Sequence, residues 1–214
     1  MAHCPHVQLT AATGKTGCSM SDHGAHRRRR GDMTEKRTAL LVLDLDGTVR
    51  HGYDELGRFV NHPEDVVIFP EALMQMRRWK EAGGRIIAVS NQGGISLGFM
   101  PMSDCVATMQ RTHELCECLF DRIAWCQHHP DAKDPEYARC WCRKPSPGLL
   151  IEAALDLAAQ TRQSGNPEIY PPHLGLFVGD REEDRECARI SGFDFKWAND
   201  WRAEYHEALI QGSK

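Results

Sequence analysis

Short apolar runs alternate with longer amphipathic stretches from residue 39 onward. The runs cover 39–45, 85–90, 122–125, 174–178 and 193–197. Each run has the length of a buried strand, and the stretches between them carry apolar side chains at helical spacing. Strands that alternate with helices are typical of repeated βαβ units. The pattern therefore predicts an α/β fold with a doubly wound parallel sheet.

Four helices are predicted between and after these strands. They cover 71–82, 103–119, a stretch that begins at residue 147, and 183–190. The first ends at Gly83 and the fourth at Gly192, because glycine commonly follows the last helical residue. The third is predicted to have Ser146 as its N-cap and Pro147 at its first helical position. The second contains Cys116 and Cys118, which we interpret as packing residues.

Composition and charge divide the chain into a tail and a domain. The chain has 214 residues, of which 41% are hydrophobic and 26% charged, as expected for one globular domain. Its net charge is -4, yet residues 1–32 carry five basic against two acidic side chains and few large apolar ones. We therefore predict a disordered basic tail over 1–32 and a domain over 33–214, with Met33 as a candidate natural start. The tail could instead bind a polyanion.

The chain shows no signal for export or membrane insertion. No apolar run approaches the roughly 20 residues that span a bilayer, and the first residues lack a secretory pattern. The nine cysteines are odd in number and scattered, which favours reduced thiols over a disulfide framework. These features predict a cytoplasmic protein without a membrane partner, either a monomer or a small homo-oligomer.

Two aspartates follow the first apolar run, in the segment Asp44-Leu45-Asp46-Gly47-Thr48. Ligands of a parallel sheet bind outside the carboxyl ends of its strands, which is where this segment lies. Side chains alternate along a strand, so Asp44 and Asp46 should point the same way, and Gly47 allows a sharp turn. Carboxylates this close need a cation or a shared proton, unless the segment is only an Asp-Gly turn.

Further polar side chains follow two other predicted strands. Ser90 and Asn91 begin a glycine-containing loop whose main-chain N–H groups could hold phosphate oxygens, although a plain polar loop has the same composition. Asp180 follows the fourth strand and is a candidate Mg²⁺ ligand. Asp184 is either a further carboxylate at the metal or a partner for Lys144. Glu182 and Glu183 are interpreted as a solvated helix start.

Two adjacent cations, Arg143 and Lys144, precede the third predicted helix. Paired cations beside a carboxylate cluster suit a phosphoryl dianion, whereas an isolated Arg-Lys pair is usually a surface feature. The complete set comprises Asp44-x-Asp46-Gly47-Thr48, Ser90-Asn91-Gln92, Lys144-Pro145 and Gly179-Asp180 with Asp184. In this order it resembles the haloacid dehalogenase superfamily of phosphohydrolases over residues 39–200. The segment Cys142–Gly148 resembles the branch of heptose 1,7-bisphosphate and histidinol phosphatases.

The resemblance implies a Rossmann-like fold and a role for each matching residue. Asp44 would be the nucleophile that forms an aspartyl-phosphate, and Asp46 the general acid and base. Mg²⁺ would be held by Asp44, by Asp46 through its main-chain carbonyl, and by Asp180. Ser90 and Lys144 would contact the transferred phosphoryl group. Arg143 and Asn91 complete the predicted substrate-binding set.

The same branch carries a zinc loop, and this chain has a candidate for it over about 126–142. The candidate ligands are Cys126, His128, Cys140 and Cys142. Three sulfurs and one imidazole suit a closed tetrahedral Zn²⁺ site, which has no open position for substrate and is therefore structural. The alternative is a loop of reduced thiols. His129 is interpreted as an exposed neighbour.

Some positions depart from the resemblance. Those sugar phosphatases generally have arginine where this chain has Leu45, and another arginine in the loop that here reads Ile95-Ser96-Leu97-Gly98. These departures weaken the case for a bisphosphorylated sugar. Residues 49–69 are too few for a large cap domain, so a minimal cap and an open site are expected.

Taken together, these features predict a Mg²⁺-dependent phosphomonoesterase with structural Zn²⁺, acting on a small phosphorylated metabolite. One alternative is a polynucleotide 3'-phosphatase, because the Asp-Leu-Asp-Gly-Thr start and small cap also resemble that group. Charge argues against nucleic acid as the substrate, since the acidic body offers no basic stripe. The other alternative is a noncatalytic phosphate-binding protein.

Overall fold

The computed structural model describes residues 9–10, 35–52 and 60–204. Within them the strands are β1 (Leu9–Thr10), β2 (Lys36–Arg37), β3 (Leu40–Leu43), β4 (Arg50–His51), β5 (Val67–Ile68), β6 (Arg85–Asn91), β7 (Arg122–Cys126), β8 (Glu168–Ile169), β9 (Leu176–Gly179) and β10 (Asp194–Trp197). The helices are α1 (Pro70–Glu81), α2 (Met102–Leu115), α3 (Gly148–Gln163) and α4 (Glu182–Ser191). None of these helices is both long enough and apolar enough to cross a membrane.

The main sheet has six strands in the order β1-β7-β6-β3-β9-β10. All its pairings are parallel except that of β1, which runs antiparallel to β7 at one edge. From the central strand β3 the chain moves outward to β6 and β7, then crosses to β9 and β10 on the other side. The order of the parallel strands confirms the doubly wound α/β prediction, and it makes the end of β3 the point where a crevice opens.

Helices cover both faces of the sheet, and the alternation of side chains along β3 separates the two cores. Leu41 and Leu43 lie in a cluster with buried residues of α1 and α2. Leu40 and Val42 lie in the opposite cluster, with buried residues of α3 and α4. All four side chains are fully buried, which explains why this strand reads as one continuous apolar run.

All five predicted main strands are present, and their bounds differ from prediction by one or two residues. The third helix begins differently: Ser146 makes no cap, since the helix starts at Gly148 with Pro147 as its N-cap. The Ser146 amide instead donates to the carbonyl of Arg143, so the prediction of a serine cap was wrong. The fourth helix ends as predicted, because Gly192 adopts the left-handed conformation at φ 75°.

The second helix is shorter than predicted, ending at Leu115 rather than at residue 119. Glu117 and Cys118 have φ angles of 55° and 56°, which a right-handed helix does not accommodate. Cys118 therefore lies in a turn and not in the helix, contrary to prediction. It is also disulfide-bonded, so the expectation of reduced thiols fails there, while six other cysteines of the described part are free.

Two pairs of short strands lie outside the main sheet. β2 and β8 pair in parallel, and β4 and β5 form an antiparallel pair between the end of β3 and α1. The second pair stands where a minimal cap was predicted, but residues 53–59 between its strands lie outside the described part. The predicted tail also lies outside it, except for Leu9–Thr10, which forms the edge strand β1.

Candidate active site

Asp44 and Asp46 follow the central strand at the crevice. The Asp44 amide donates to the carbonyl of Val178 at 3.0 Å, which ties the aspartate to the end of β9. Gly47 then turns the chain with φ 85°. A side chain at Gly47 would place its Cβ only 2.2 Å from Oδ2 of Asp180. Glycine is therefore required both by the turn and by the close approach of Asp180.

Lys144 joins two acidic residues of the site. Its ammonium group lies 2.5 Å from Oδ1 of Asp44 and 2.6 Å from Oδ1 of Asp184, and it also donates to the carbonyl of Val89 at 2.9 Å. The lysine side chain is only 3% exposed. Asn91 fixes the lysine main chain, because its side chain accepts from the Lys144 amide at 3.0 Å and donates to the Lys144 carbonyl at 3.1 Å.

Burial and charge set the ionisation of this cluster. Burial raises the pKa of Asp44 to about 7 against the opposing charge of Lys144, and Asp184 adds to the rise. Burial opposes the charge of Lys144, but Asp44 and Asp184 outweigh it and raise the pKa of Lys144 above its ordinary value. Burial and Asp184 also raise the pKa of Asp180. A cation bound among these carboxyl groups would favour their ionised forms and offset the burial and repulsion that oppose them.

Three carboxylates are placed to hold such a cation. Asp44, Asp180 and Asp184 each offer an oxygen, and these oxygens lie within 4.8 Å of one another. A set of carboxylate oxygens fits Mg²⁺, which prefers hard oxygen ligands. Both oxygens of Asp184 already have partners, since Oδ1 contacts Lys144 and Oδ2 accepts from the Arg181 amide at 3.1 Å. Of its two predicted roles, the contacts favour partner for Lys144.

Asp46 lies beside this cluster with both carboxylate oxygens engaged. Arg50 Nε donates to Oδ1 at 2.8 Å, and Gln92 Nε2 donates to Oδ2 at 2.7 Å. Gln92 also donates to the hydroxyl of Ser90 at 2.8 Å. Gln92 belongs to the sequence motif and Arg50 to the small cap segment, but the sequence alone indicates no role for either. Only the folded arrangement shows that both hold Asp46.

The four predicted zinc ligands meet in one cluster, formed by Cys126, His128, Cys140 and Cys142. Cys126 Sγ lies 3.6 Å from Cys140 Sγ and 3.2 Å from Cys142 Sγ. His128 Nδ1 lies 3.5 Å from Sγ of Cys126 and 3.5 Å from Sγ of Cys142. Tetrahedral Zn²⁺ requires about 3.8 Å between two sulfur ligands and about 3.6 Å between sulfur and nitrogen. The donor set fits zinc, as do three of the four distances, whereas Cys126 and Cys142 lie closer together than in a zinc site.

The cysteine cluster is connected to the cavity through Arg143. The Arg143 amide donates to Cys140 Sγ at 3.3 Å, and its guanidinium donates to the carbonyl of His128 at 3.0 Å. Hydrogen bonding, first of all from Cys142, lowers the pKa of Cys126 to about 5 despite burial. The thiolate is the form that binds metal, so this lowered pKa favours metal binding by the cluster. The two hydrogen bonds of Arg143 to the cluster residues hold Arg143, and with it the adjacent Lys144, in position.

A cavity of about 410 Å³ opens at these residues. Its lining includes all the predicted catalytic and substrate-binding residues, namely Asp44, Asp46, Ser90, Asn91, Arg143 and Lys144. His129 also lines the cavity with a side chain 25% exposed, so it is more enclosed than predicted. Leu97, Phe99, Met100 and Val60 add an apolar wall.

The two departures from the sugar-phosphatase pattern lie in different surroundings. Leu45 is fully buried in the core cluster shared with α1 and α2, and it does not line the cavity. Strand alternation explains this, because Leu45 points opposite to Asp44 and Asp46. The interpretation of Leu45 as an indicator of substrate was therefore wrong. Leu97 does line the cavity, so the 95–98 segment is still interpreted as an indicator of substrate.

Comparison with known proteins gives consistent matches, although no family model matches the chain. The chain is 32% identical over 157 residues to D-glycero-D-manno-heptose-1,7-bisphosphate 7-phosphatase of Chlorobaculum tepidum, covering 72% of this chain and 74% of that protein. A solved structure described as a HAD-like phosphatase from Mesorhizobium loti has a TM-score of 0.61 at 26% identity, covering 83% and 90% of the two chains.

A second solved structure agrees in fold. It is the D,D-heptose 1,7-bisphosphate phosphatase from B. bronchiseptica, complexed with magnesium and phosphate, with a TM-score of 0.59 at 21% identity. The alignment covers 81% of this chain and 99% of that one. With the sequence match, these likenesses confirm the α/β fold and the resemblance. The chain belongs to the heptose 1,7-bisphosphate phosphatase family of HAD-like phosphatases, and it is a phosphoric monoester hydrolase.

Proposed function

We propose that this phosphatase depends on Mg²⁺ and hydrolyses a sugar phosphate or similar small metabolite through an aspartyl-phosphate. The observation that carries the proposal is the buried Lys144 ammonium, 2.5 Å from Asp44 in a cavity that also holds Asp46. A nucleophilic carboxylate, a second carboxylate and a fixed cation are the groups that phosphoryl transfer from a monoester requires.

The chain's own residues can be assigned to both chemical steps. In the first, an Asp44 oxygen bonds to phosphorus, the bond from phosphorus to the leaving oxygen breaks, and Asp46 donates a proton to that oxygen. In the second, Asp46 takes a proton from water, which bonds to phosphorus while the bond to Asp44 breaks. Phosphate leaves, and the Asp44 carboxylate is restored. Lys144 and Ser90 hold the transferred group throughout.

Mg²⁺ would be held by the carboxylates of Asp44 and Asp180 and by the main-chain carbonyl of Asp46. When bound, the ion neutralises charge between the acidic cluster and the phosphate. The grouping of carboxylate oxygens within 4.8 Å supports this assignment. The magnesium and phosphate present in the B. bronchiseptica structure agree with it.

The cysteine cluster would hold a structural Zn²⁺. Four protein ligands leave no coordination position for substrate, so zinc would act through the shape of its loop. That loop places Arg143 at the cavity, which Lys144 also lines. We assign substrate binding to Arg143 and Asn91 on these grounds.

The substrate class follows from the relatives and the cavity together. The Chlorobaculum tepidum relative is named for heptose 1,7-bisphosphate. Arg143, Arg181 and His129 line the cavity here and would bind oxygens of a sugar or of a second phosphate.

The location of the protein and its oligomeric state are separate questions. The predictions of a cytoplasmic location and of a monomer or small homo-oligomer stay predictions.

The test is phosphate release by the purified protein with Mg²⁺ from D-glycero-D-manno-heptose 1,7-bisphosphate and from p-nitrophenyl phosphate. Asp44→Asn should abolish release from both, because the amide is a poor nucleophile. The matched control is Asp194→Asn, at an exposed side chain that begins β10, at the end of the strand away from the cavity, and it should leave the rate unchanged. Undiminished release by Asp44→Asn would contradict the mechanism, and wild-type release from p-nitrophenyl phosphate but not from the heptose bisphosphate would contradict the substrate class.

A further inference from the structure

Arg50 is a charged side chain buried directly behind the candidate site. It is 0% exposed and begins β4, after the turn at Gly47. It does not line the cavity, whereas its partner Asp46 does. Burying a guanidinium costs free energy unless hydrogen bonds and an opposite charge compensate for it.

The contacts of Arg50 are directed to Asp46 and to one helix. Nε donates to Asp46 Oδ1 at 2.8 Å, while Nη1 donates to the Thr112 hydroxyl at 2.6 Å and to the Thr108 carbonyl at 3.3 Å. Nη2 has no hydrogen-bond partner among the described residues. A buried ion pair often stabilises a protein no more than an apolar side chain of similar volume does. The incomplete pairing of Arg50 therefore indicates a role beyond stability.

Gln92 complements Arg50 on the other carboxylate oxygen. Its amide donates to Asp46 Oδ2 at 2.7 Å from within the cavity lining, and the same nitrogen donates to Ser90. Arg50 therefore holds Asp46 from outside the cavity and Gln92 from inside it. Two donors on two oxygens restrict rotation of the carboxylate, which a single contact would allow.

We propose that Arg50 is a positioning residue that orients Asp46 for proton transfer to the leaving oxygen, an inference that rests on the acid role proposed above for Asp46. A general acid works only within hydrogen-bond reach of the atom that it protonates. Thr112 and Thr108 fix the guanidinium in turn, so α2 sets the orientation of a carboxylate at the end of β3.

The test compares Arg50→Met with the wild type on two aryl phosphates of nearly the same shape, phenyl phosphate and p-nitrophenyl phosphate. Phenolate is the more basic leaving group and needs the acid, whereas p-nitrophenolate leaves without much help. The value of kcat/KM reports the first chemical step. We expect a loss of about tenfold or more on phenyl phosphate and of less than about threefold on p-nitrophenyl phosphate.

Two reference variants separate this inference from the proposed function. Asp46→Asn should show the same selective loss, and adding Arg50→Met to it should cause little further loss, because both changes remove one function. Equal rates of Asp46→Asn and wild type on phenyl phosphate would overturn the acid role itself. If Asp46→Asn loses kcat/KM selectively on phenyl phosphate and folded Arg50→Met does not, only the positioning role is overturned.

Structural effects are controlled by two further variants. Arg122 is also a buried arginine, 4% exposed, whose Nε has no partner among the described residues. Arg122→Met should leave the ratio of the two kcat/KM values unchanged. If Arg50→Met does not fold, Thr112→Val removes the closer of the two acceptors of Nη1 with little change of shape, and it should show a smaller loss with the same selectivity. An equal loss on both substrates would overturn the proposal.

Discussion

Lys144 Nζ lies 2.5 Å from Oδ1 of Asp44, although the two residues are 100 positions apart in the chain. The same ammonium contacts Asp184 at 2.6 Å. One buried cation therefore compensates two buried carboxylates, one at the end of β3 and the other in the first turn of α4. This relationship makes Lys144 part of the charge balance of the site, in addition to the contact with the phosphoryl group that the proposed mechanism assigns to it.

Replacing this cation should destabilise the fold strongly. Lys144→Met leaves two buried carboxylates without their partner, and breaking a buried pair in this way typically costs about 3–5 kcal/mol. Urea denaturation at neutral pH measures the change in free energy of unfolding. The control is Lys196→Met, which breaks a pair with Glu204 on exposed side chains and should cost less than about 1 kcal/mol. Similar small losses in both variants would contradict the prediction.

A methyl group added at Gly47 should reduce activity by more than the loss of fold stability can explain. Gly47→Ala meets both the unfavourable φ of 85° and the Asp180 carboxylate 2.2 Å from the new Cβ. The matched control is Gly83→Ala, with φ 83° and no heavy atom within 4 Å of the new Cβ. Both should lose about 1–2 kcal/mol from backbone conformation.

Activity distinguishes the two glycine variants. Gly83→Ala should keep normal phosphatase activity, while Gly47→Ala should need more Mg²⁺ for half-maximal rate, because Asp180 is displaced. Magnesium titration of the hydrolysis rate provides the measurement. Identical magnesium dependence in both variants would argue against Asp180 as a ligand.

Zinc should be present at about one ion per chain and should support the cavity. Cys142→Ser is expected to lose the zinc, to unfold at lower temperature and to lose about tenfold or more in activity, since the loop carries Arg143 and Lys144. Elemental analysis and thermal unfolding measure the first two effects. Cys187→Ala, at a buried cysteine of α4 outside the cluster, should keep its zinc. Wild-type protein without zinc would contradict the assignment.

One ion pair away from the site predicts a pH effect on stability. Burial opposes ionisation of Glu168, but hydrogen bonds from Arg85, at 2.9 and 3.0 Å, outweigh it and hold the pKa of Glu168 below its ordinary value. A lowered pKa in the fold stabilises the protein above the unfolded pKa of about 4.3, and this contribution is lost as pH falls through the folded value.

Glu168→Gln should therefore be less stable than the wild type at pH 7 by about 1–3 kcal/mol, and the difference should shrink below about pH 4. Urea denaturation at about pH 7, 4 and 3 measures it. Glu182→Gln changes an exposed carboxylate paired with Arg185 and should stay within about 1 kcal/mol of the wild type at every pH. A difference that grows on acidification would show that the sign is wrong.

The sequence by itself determined the strands, the order of the chemical motifs and the type of fold. These properties are local, because a buried strand such as β3 needs continuous apolar residues and a helix ends where glycine takes a positive φ. Alternation along the strand also implied that Asp44 and Asp46 share a direction, and the same rule put Leu45 into the core.

Only the tertiary structure decided which distant residues meet. The order of strands brings Lys144 to Asp44, and the packing of α2 against the turn after β3 buries Arg50 beside Asp46. Spacing in the chain carries no information on such contacts, because they depend on how whole elements pack.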